Sequence, residues 1–157
     1  MEKTFLKDYQ KPHFDVLNIH LEFSIFDDHV LVTQTSHFKL SEQKPIFLNG
    51  LDQELIEITF SDNNHKLAPV HFEKKPEGLL VIPDCLEFIL NLKTKIIPAS
   101  NKSLEGLYAS KNFLVTQCEA QGFRKITFFP DRPDVMTLFT VTIEADTKKF
   151  PVLLSNG

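Results

Sequence analysis

Between Thr116 and Arg132 the chain reads Thr-Gln-Cys-Glu-Ala-Gln-Gly-Phe-Arg-Lys-Ile-Thr-Phe-Phe-Pro-Asp-Arg, and two of these residues have the types and spacing to do chemistry together. If Thr116 to Ala120 runs extended, successive side chains alternate faces, so Gln117 and Glu119 share one face while Thr116 and Cys118 share the other. An amide beside a carboxylate suits a ligand that carries a cationic group next to a carbonyl or amide, which is what a free peptide N-terminus presents. On alternation alone the plainer reading is the solvated face of a half-buried strand, because any one-sided strand alternates in this way.

The remaining chemistry-bearing residues are sparse. Cys118 lies between the pair and faces away from it, which predicts a buried thiol rather than a nucleophile. The six histidines (His13, His20, His29, His37, His65 and His71) are scattered, and none falls in H-E-x-x-H or another ligand spacing, so no metal site is expected in this chain alone. The sequence contains no G-x-S-x-G elbow, no phosphate-binding glycine loop and no C-x-x-C pair. Asn101-Lys102-Ser103 matches the glycosylation acceptor pattern, but no secretory leader accompanies it, and the match reads as accidental.

Composition narrows the class. A chain of 157 residues fits one domain, 1–157, and buries about two-thirds of its extended-chain surface, enough for a core without staples. Two cysteines, Cys85 and Cys118, are too few for a disulfide framework. No apolar run approaches the roughly 20 residues of a membrane span. These features predict a soluble, cytoplasmic protein with free thiols and no membrane partner. Twenty-one acidic against 17 basic residues give a formal charge of -4, with no basic stripe for phosphates, which argues against nucleic acid. Fifteen phenylalanines and no tryptophan predict a phenylalanine-rich core.

The elements that must position the pair read as strands. Leu17, Ile19, Leu21, Phe23 and Ile25 alternate with polar residues, Asp27-Asp28 makes a turn, and Val30 to Leu40 supplies the partner strand. Ile46-Phe47-Leu48 ends at Asn49-Gly50. Leu55 to Phe60 reads as a strand with Ile56, Ile58 and Phe60 on one face. Val70 to Phe72 and Gly78 to Ile82 form a hairpin, and Leu86 to Leu92 alternates through a long strand stopped by Pro98. Ser103 to Tyr108 has room for one helical turn, weakened by Gly106. Phe123 to Phe129 has helical spacing but stops at Pro130. Asp131-Arg132-Pro133 turns into a strand at Val135, Phe139 to Ile143 alternates, and Phe150 to Leu154 reads as a last strand. Strand-like runs about every ten residues with little helix predict an all-β, antiparallel sandwich-like domain, with Met1 to Phe14 as an extended arm over it. Ser155-Asn156-Gly157 is a turn signal that a following strand would use, so the end reads as a cut rather than a natural terminus.

Several segments together resemble the aminopeptidase N family, in its bacterial branch. They are Leu6-Lys7-Asp8-Tyr9, Ser103 to Tyr108, Thr116-Gln117-Cys118-Glu119-Ala120 with Gly122-Phe123-Arg124, Asp131 to Val135, and the closing Phe150 to Gly157. The resemblance implies a parent enzyme with an N-terminal β-domain, a zinc catalytic domain C-terminal to it, and further domains. Its H-E-x-x-H and G-x-M-E-N motifs are absent here, so this piece is expected to hold no catalytic residue and no metal ligand, and to be inactive alone. By the same resemblance Glu119 would bind the substrate's free α-amino group and Gln117 would line the pocket for the first residue. The partners implied are peptides with a free N-terminus and the chain's own missing catalytic domain. Arg124, Arg132, Tyr108 and Phe123 are read as structural. The competing reading is a free-standing β-sandwich binding module without catalysis.

Overall fold

The computed structural model describes residues 5–64 and 66–156. Among the described residues ten strands form in chain order: β1 Phe14–Ile25, β2 Val30–Leu40, β3 Ile46–Asn49, β4 Glu54–Ser61, β5 Val70–Lys75, β6 Gly78–Pro83, β7 Glu87–Ile96, β8 Gly106–Ser110, β9 Phe113–Gln117 and β10 Leu138–Glu144. Helix among the described residues is limited to two 3-10 turns, Leu6–Asp8 and Phe123–Lys125. A five-stranded sheet runs β10-β1-β2-β7-β4, a three-stranded sheet runs β3-β6-β5, and β8-β9 is a separate hairpin. Pairing is antiparallel except between β1 and β10, which run parallel with Ile19 opposite Phe139 and Leu21 opposite Val141. The all-β, antiparallel-dominated fold with little helix is therefore the one that strand periodicity predicts.

One apolar core joins the two larger sheets. Val32, Phe38, Phe88 and Leu90 from the five-stranded sheet meet Ile46, Leu48, Leu79 and Val81 from the three-stranded sheet. Stacked rings of Phe38 and Phe88, 5.2 Å between centroids, and an edge contact of Phe88 with Phe60 at 5.9 Å form its centre. Aromatic pairs in these geometries add to what area burial alone contributes.

The structure departs from the sequence reading at several places. Register shifts at Val16/Asn18 and Leu55/Glu57 insert one extra residue each, which leaves Leu17 and Ile56 exposed. The inner face of β4 is therefore Leu55, Ile58 and Phe60, not Ile56, Ile58 and Phe60. Ser103 to Tyr108 makes no helical turn: Leu104 and Gly106 take φ of 60° and 70°, outside the right-handed helical region, and β8 starts at Gly106. The strand expected from Val135 starts at Leu138. Phe150 to Leu154 forms no strand; Pro151 lacks the N–H that a ladder needs, and Val152 and Leu154 stay exposed. Asn101, the matched acceptor, spends its amide inside the loop, donating to the carbonyls of Glu105 (2.7 Å) and Leu107 (3.0 Å).

Of the expected arm, Met1 to Thr4 lie outside the described residues, and the part around Tyr9 and Gln10 is tied down by polar contacts. Tyr9 Oη donates to Asp134 Oδ2 at 3.0 Å, and Arg132 Nη2 donates both to the Gln10 carbonyl at 3.0 Å and to Asp134 at 2.6 Å. Arg132 thus braces a loop, as expected for a structural role.

Candidate functional site

The hairpin β8-β9 carries the candidate pair. Gly106 pairs with Gln117 and Leu107 with Thr116, so Gln117 is the last residue of β9. The expected extension through Ala120 stops there. Gly122 N–H donates to the Cys118 carbonyl at 2.8 Å, which closes residues 118–122 into a turn with Glu119 inside it. Closure depends on a missing side chain: a Cβ on Gly122 would stand 2.5 Å from the Gln117 carbonyl oxygen. The Glu119–Ala120 peptide bond is cis.

Gln117 and Glu119 are both exposed. Among the described residues neither side chain has a hydrogen-bond or ion-pair partner. An apolar cavity of about 780 Å³ lies beside the hairpin, walled by β1, β10 and the 149–156 segment. Thr116 and Cys118 line it, whereas Gln117 and Glu119 do not. Cys118 is a free thiol whose pKa is pushed up to about 11, first by burial and then by the nearby Asp131 charge. A thiol so far above neutrality is a poor nucleophile at physiological pH.

The turn sits on a braced platform. Arg124 Nε and its backbone N–H both donate to Asp131 Oδ2, at 2.8 and 3.1 Å. Lys125, only 12% exposed at its side chain, reaches Asp52 at 3.1 Å and Glu105 at 3.7 Å, and donates to Ser103 Oγ at 2.9 Å. Phe123 packs edge-on against Phe129 and Phe139. Arg124 and Phe123 therefore have the structural roles expected of them, while Lys125 and its partners Asp52 and Glu105 were not singled out in the sequence. The only trace they leave there is charge: one lysine after Arg124, and two acids in distant loops.

Among the described residues no three His, Cys, Asp or Glu side chains converge to hold a metal ion. No described helix is long and apolar enough to cross a membrane.

An antiparallel-dominated β-domain that presents this hairpin and loop is a recognisable class of module. The chain belongs to the Peptidase M1 N-terminal domain family, which matches residues 10–157. It is 42% identical to aminopeptidase N of Escherichia coli (strain K12) over 159 aligned positions, covering 99% of this chain and 18% of that protein. The chain thus spans under a fifth of the curated relatives it matches. Among solved structures, aminopeptidase A of Legionella pneumophila in complex with aspartic acid superposes with a TM-score of 0.81 at 25% identity, over 97% of this chain and 18% of that one. An M1 zinc metallopeptidase from Deinococcus radiodurans shares the fold, with a TM-score of 0.66 at 17% identity, over 83% of this chain and 32% of that one.

Proposed function

We propose that this chain, as a single β domain over residues 1–157, is the N-terminal substrate-anchoring part of a zinc-dependent aminopeptidase that removes N-terminal residues from peptides. Zinc and its ligands would belong to a catalytic domain outside this chain, which by itself would be inactive. The two thiols, both free, fit a reducing cytoplasmic setting.

The observation that carries the reading is Glu119. Its carboxylate is exposed on a braced turn, without a partner among the described residues, two positions from the exposed amide of Gln117. A peptide α-amino group has an ordinary pKa of about 7.7–8.0, and a carboxylate next to it favours the charged form. The amine would meet Glu119 and the adjacent peptide group would meet Gln117. Holding the amine fixes which peptide bond lies at the reacting centre, a matter of orientation rather than bond chemistry.

The test compares hydrolysis of a chromogenic amino-acid amide, with added zinc, by the 157-residue chain and by the protein expressed to its natural stop codon. An active long form beside an inert short form is expected. Inert preparations of both forms would overturn the aminopeptidase reading and leave a β-sandwich binding module.

A further inference from the structure

The turn that carries Glu119 is linked by hydrogen bonds to groups farther along the chain. Asp131 is 7% exposed. Its carboxylate takes two hydrogen bonds from Arg124, and Arg124 Nη2 also donates to the Asp131 carbonyl at 3.2 Å. Both residues are then fastened to the end of β3 and the segment that follows it. Asp131 N–H donates to Asn49 Oδ1 at 3.1 Å, and the Arg124 carbonyl accepts from Leu51 N–H and from Gln53 Nε2, each at 2.9 Å.

This clamp connects to the candidate site through two successive turns. Lys125 N–H donates to the Gly122 carbonyl at 3.1 Å, and Gly122 N–H donates to the Cys118 carbonyl. The first turn overlaps Arg124 and the second contains Glu119. Asp131 also stands near enough to Cys118 for its charge to help push the thiol up. A buried carboxylate bonded to a guanidinium is charge-assisted, and losing one partner leaves the other uncompensated, so the pair acts as a unit. Its neutralisation by Arg124 also makes Asp131 a poor receptor for a second cation.

We propose that Asp131, held by Arg124, is a positioning residue that fixes the Cys118–Gly122 turn so that Glu119 meets the substrate's α-amino group, without itself touching substrate. The inference rests on the anchoring reading above.

The experiment uses the chain expressed to its natural stop codon and two inhibitors that differ only in the amino group, leucine and 4-methylpentanoic acid. Wild type, Asp131→Asn, Arg124→Lys, Glu119→Ala and the double variant Glu119→Ala/Asp131→Asn are compared. Asp131→Asn is expected to reduce the preference for leucine by about tenfold while leaving the desamino acid nearly unaffected. The double variant should discriminate no less than Glu119→Ala alone, because both changes remove the same contact. Arg124→Lys should shift the preference the same way, and it carries the test if Asp131→Asn does not fold. Equal weakening of both inhibitors, or wild-type preference in the folded clamp variants while Glu119→Ala loses it, would overturn the positioning role and leave anchoring intact. Wild-type preference in Glu119→Ala would overturn the anchoring reading and this inference with it.

Discussion

The Thr127 hydroxyl donates a 2.7 Å hydrogen bond to Gln34 Oε1 inside the core, joining residues 93 positions apart. Both are fully buried, and Gln34 Nε2 donates in turn to Ser36 Oγ at 2.6 Å. The rest of the inner face of β2 is Val30, Val32, Phe38 and Leu40, so this polar seam crosses an apolar surface. A buried amide is tolerated only where its hydrogen bonds are made, which ties the 126–129 segment to one place over the sheet. That segment leads directly into Asp131.

Thr127→Val keeps the side chain's shape and removes the donor. Gln34 Oε1 then stays buried and unpaired, at a cost of about 1–3 kcal/mol. The expected result is a lower midpoint in urea unfolding with an unchanged slope. Gln34→Leu combined with Thr127→Val should cost less than the two single changes summed, since the unpaired group disappears. Full stability of Thr127→Val would mean that the seam contributes nothing.

That seam also marks where the sequence stops being readable. Alternation exposes β1, β2 and β7 because each has one buried face, and the Lys74-Lys75-Pro76-Glu77 stretch marks the β5-β6 turn. Period two continues through Gln34 and Ser36 as well, but a glutamine on the inner face looks like an interruption until Thr127 is known to be opposite. The bulges that expose Leu17 and Ile56 come from strand pairing, which side-chain pattern does not encode. Gln117 and Glu119 were legible as a pair of residue types. The turn that carries Glu119 was not, because it is set by the approach of Gly122 to the Gln117 carbonyl and by the Arg124–Asp131 clamp.

Cys118 gives a prediction in pH. Its folded pKa is raised from 9.0 to about 11, chiefly by burial and then by Asp131. As pH climbs, the unfolded chain loses this proton first, so the thiol's contribution to stability is whole below about pH 9 and declines toward pH 11. Wild type should therefore lose more urea resistance between about pH 8 and about pH 10.5 than Cys118→Ala does. In the same range Cys118 of the folded protein should react slowly with a disulfide reagent, and faster after Asp131→Asn. Labelling at the rate of an unfolded thiol would contradict the burial.

Gly106 gives a prediction about the hairpin. Its φ of +70° is costly for any residue with a side chain, and an added Cβ would lie 2.6 Å from Lys125 Cβ. Lys125 has little freedom to retreat, being held by Asp52 and Ser103. Gly106→Ala should cost at least about 1–2 kcal/mol from the backbone alone, seen as a fall in thermal midpoint of about 2–8 °C. Because Gly106 pairs with Gln117, the same change should displace the end of β9.

Glu119→Ala tests the anchor directly in the protein expressed to its natural stop codon. The carboxylate is exposed and unpaired among the described residues, so truncation removes no hydrogen bond or ion pair there and the unfolding midpoint should not move. A charge-assisted hydrogen bond to an amine contributes about 1.5–3 kcal/mol, so kcat/KM on peptides with a free N-terminus should fall by roughly tenfold to a hundredfold. Gln117→Ala should cost less, since a neutral amide makes a weaker bond, and its loss should depend on the substrate's first side chain if Gln117 lines that pocket. A fall in KM-limited binding with kcat retained would mean that the amine is gripped equally in ground and transition states. A fall in kcat as well would mean that the grip also orients the reacting bond. Unchanged kinetics in a folded Glu119→Ala enzyme would refute the anchoring role.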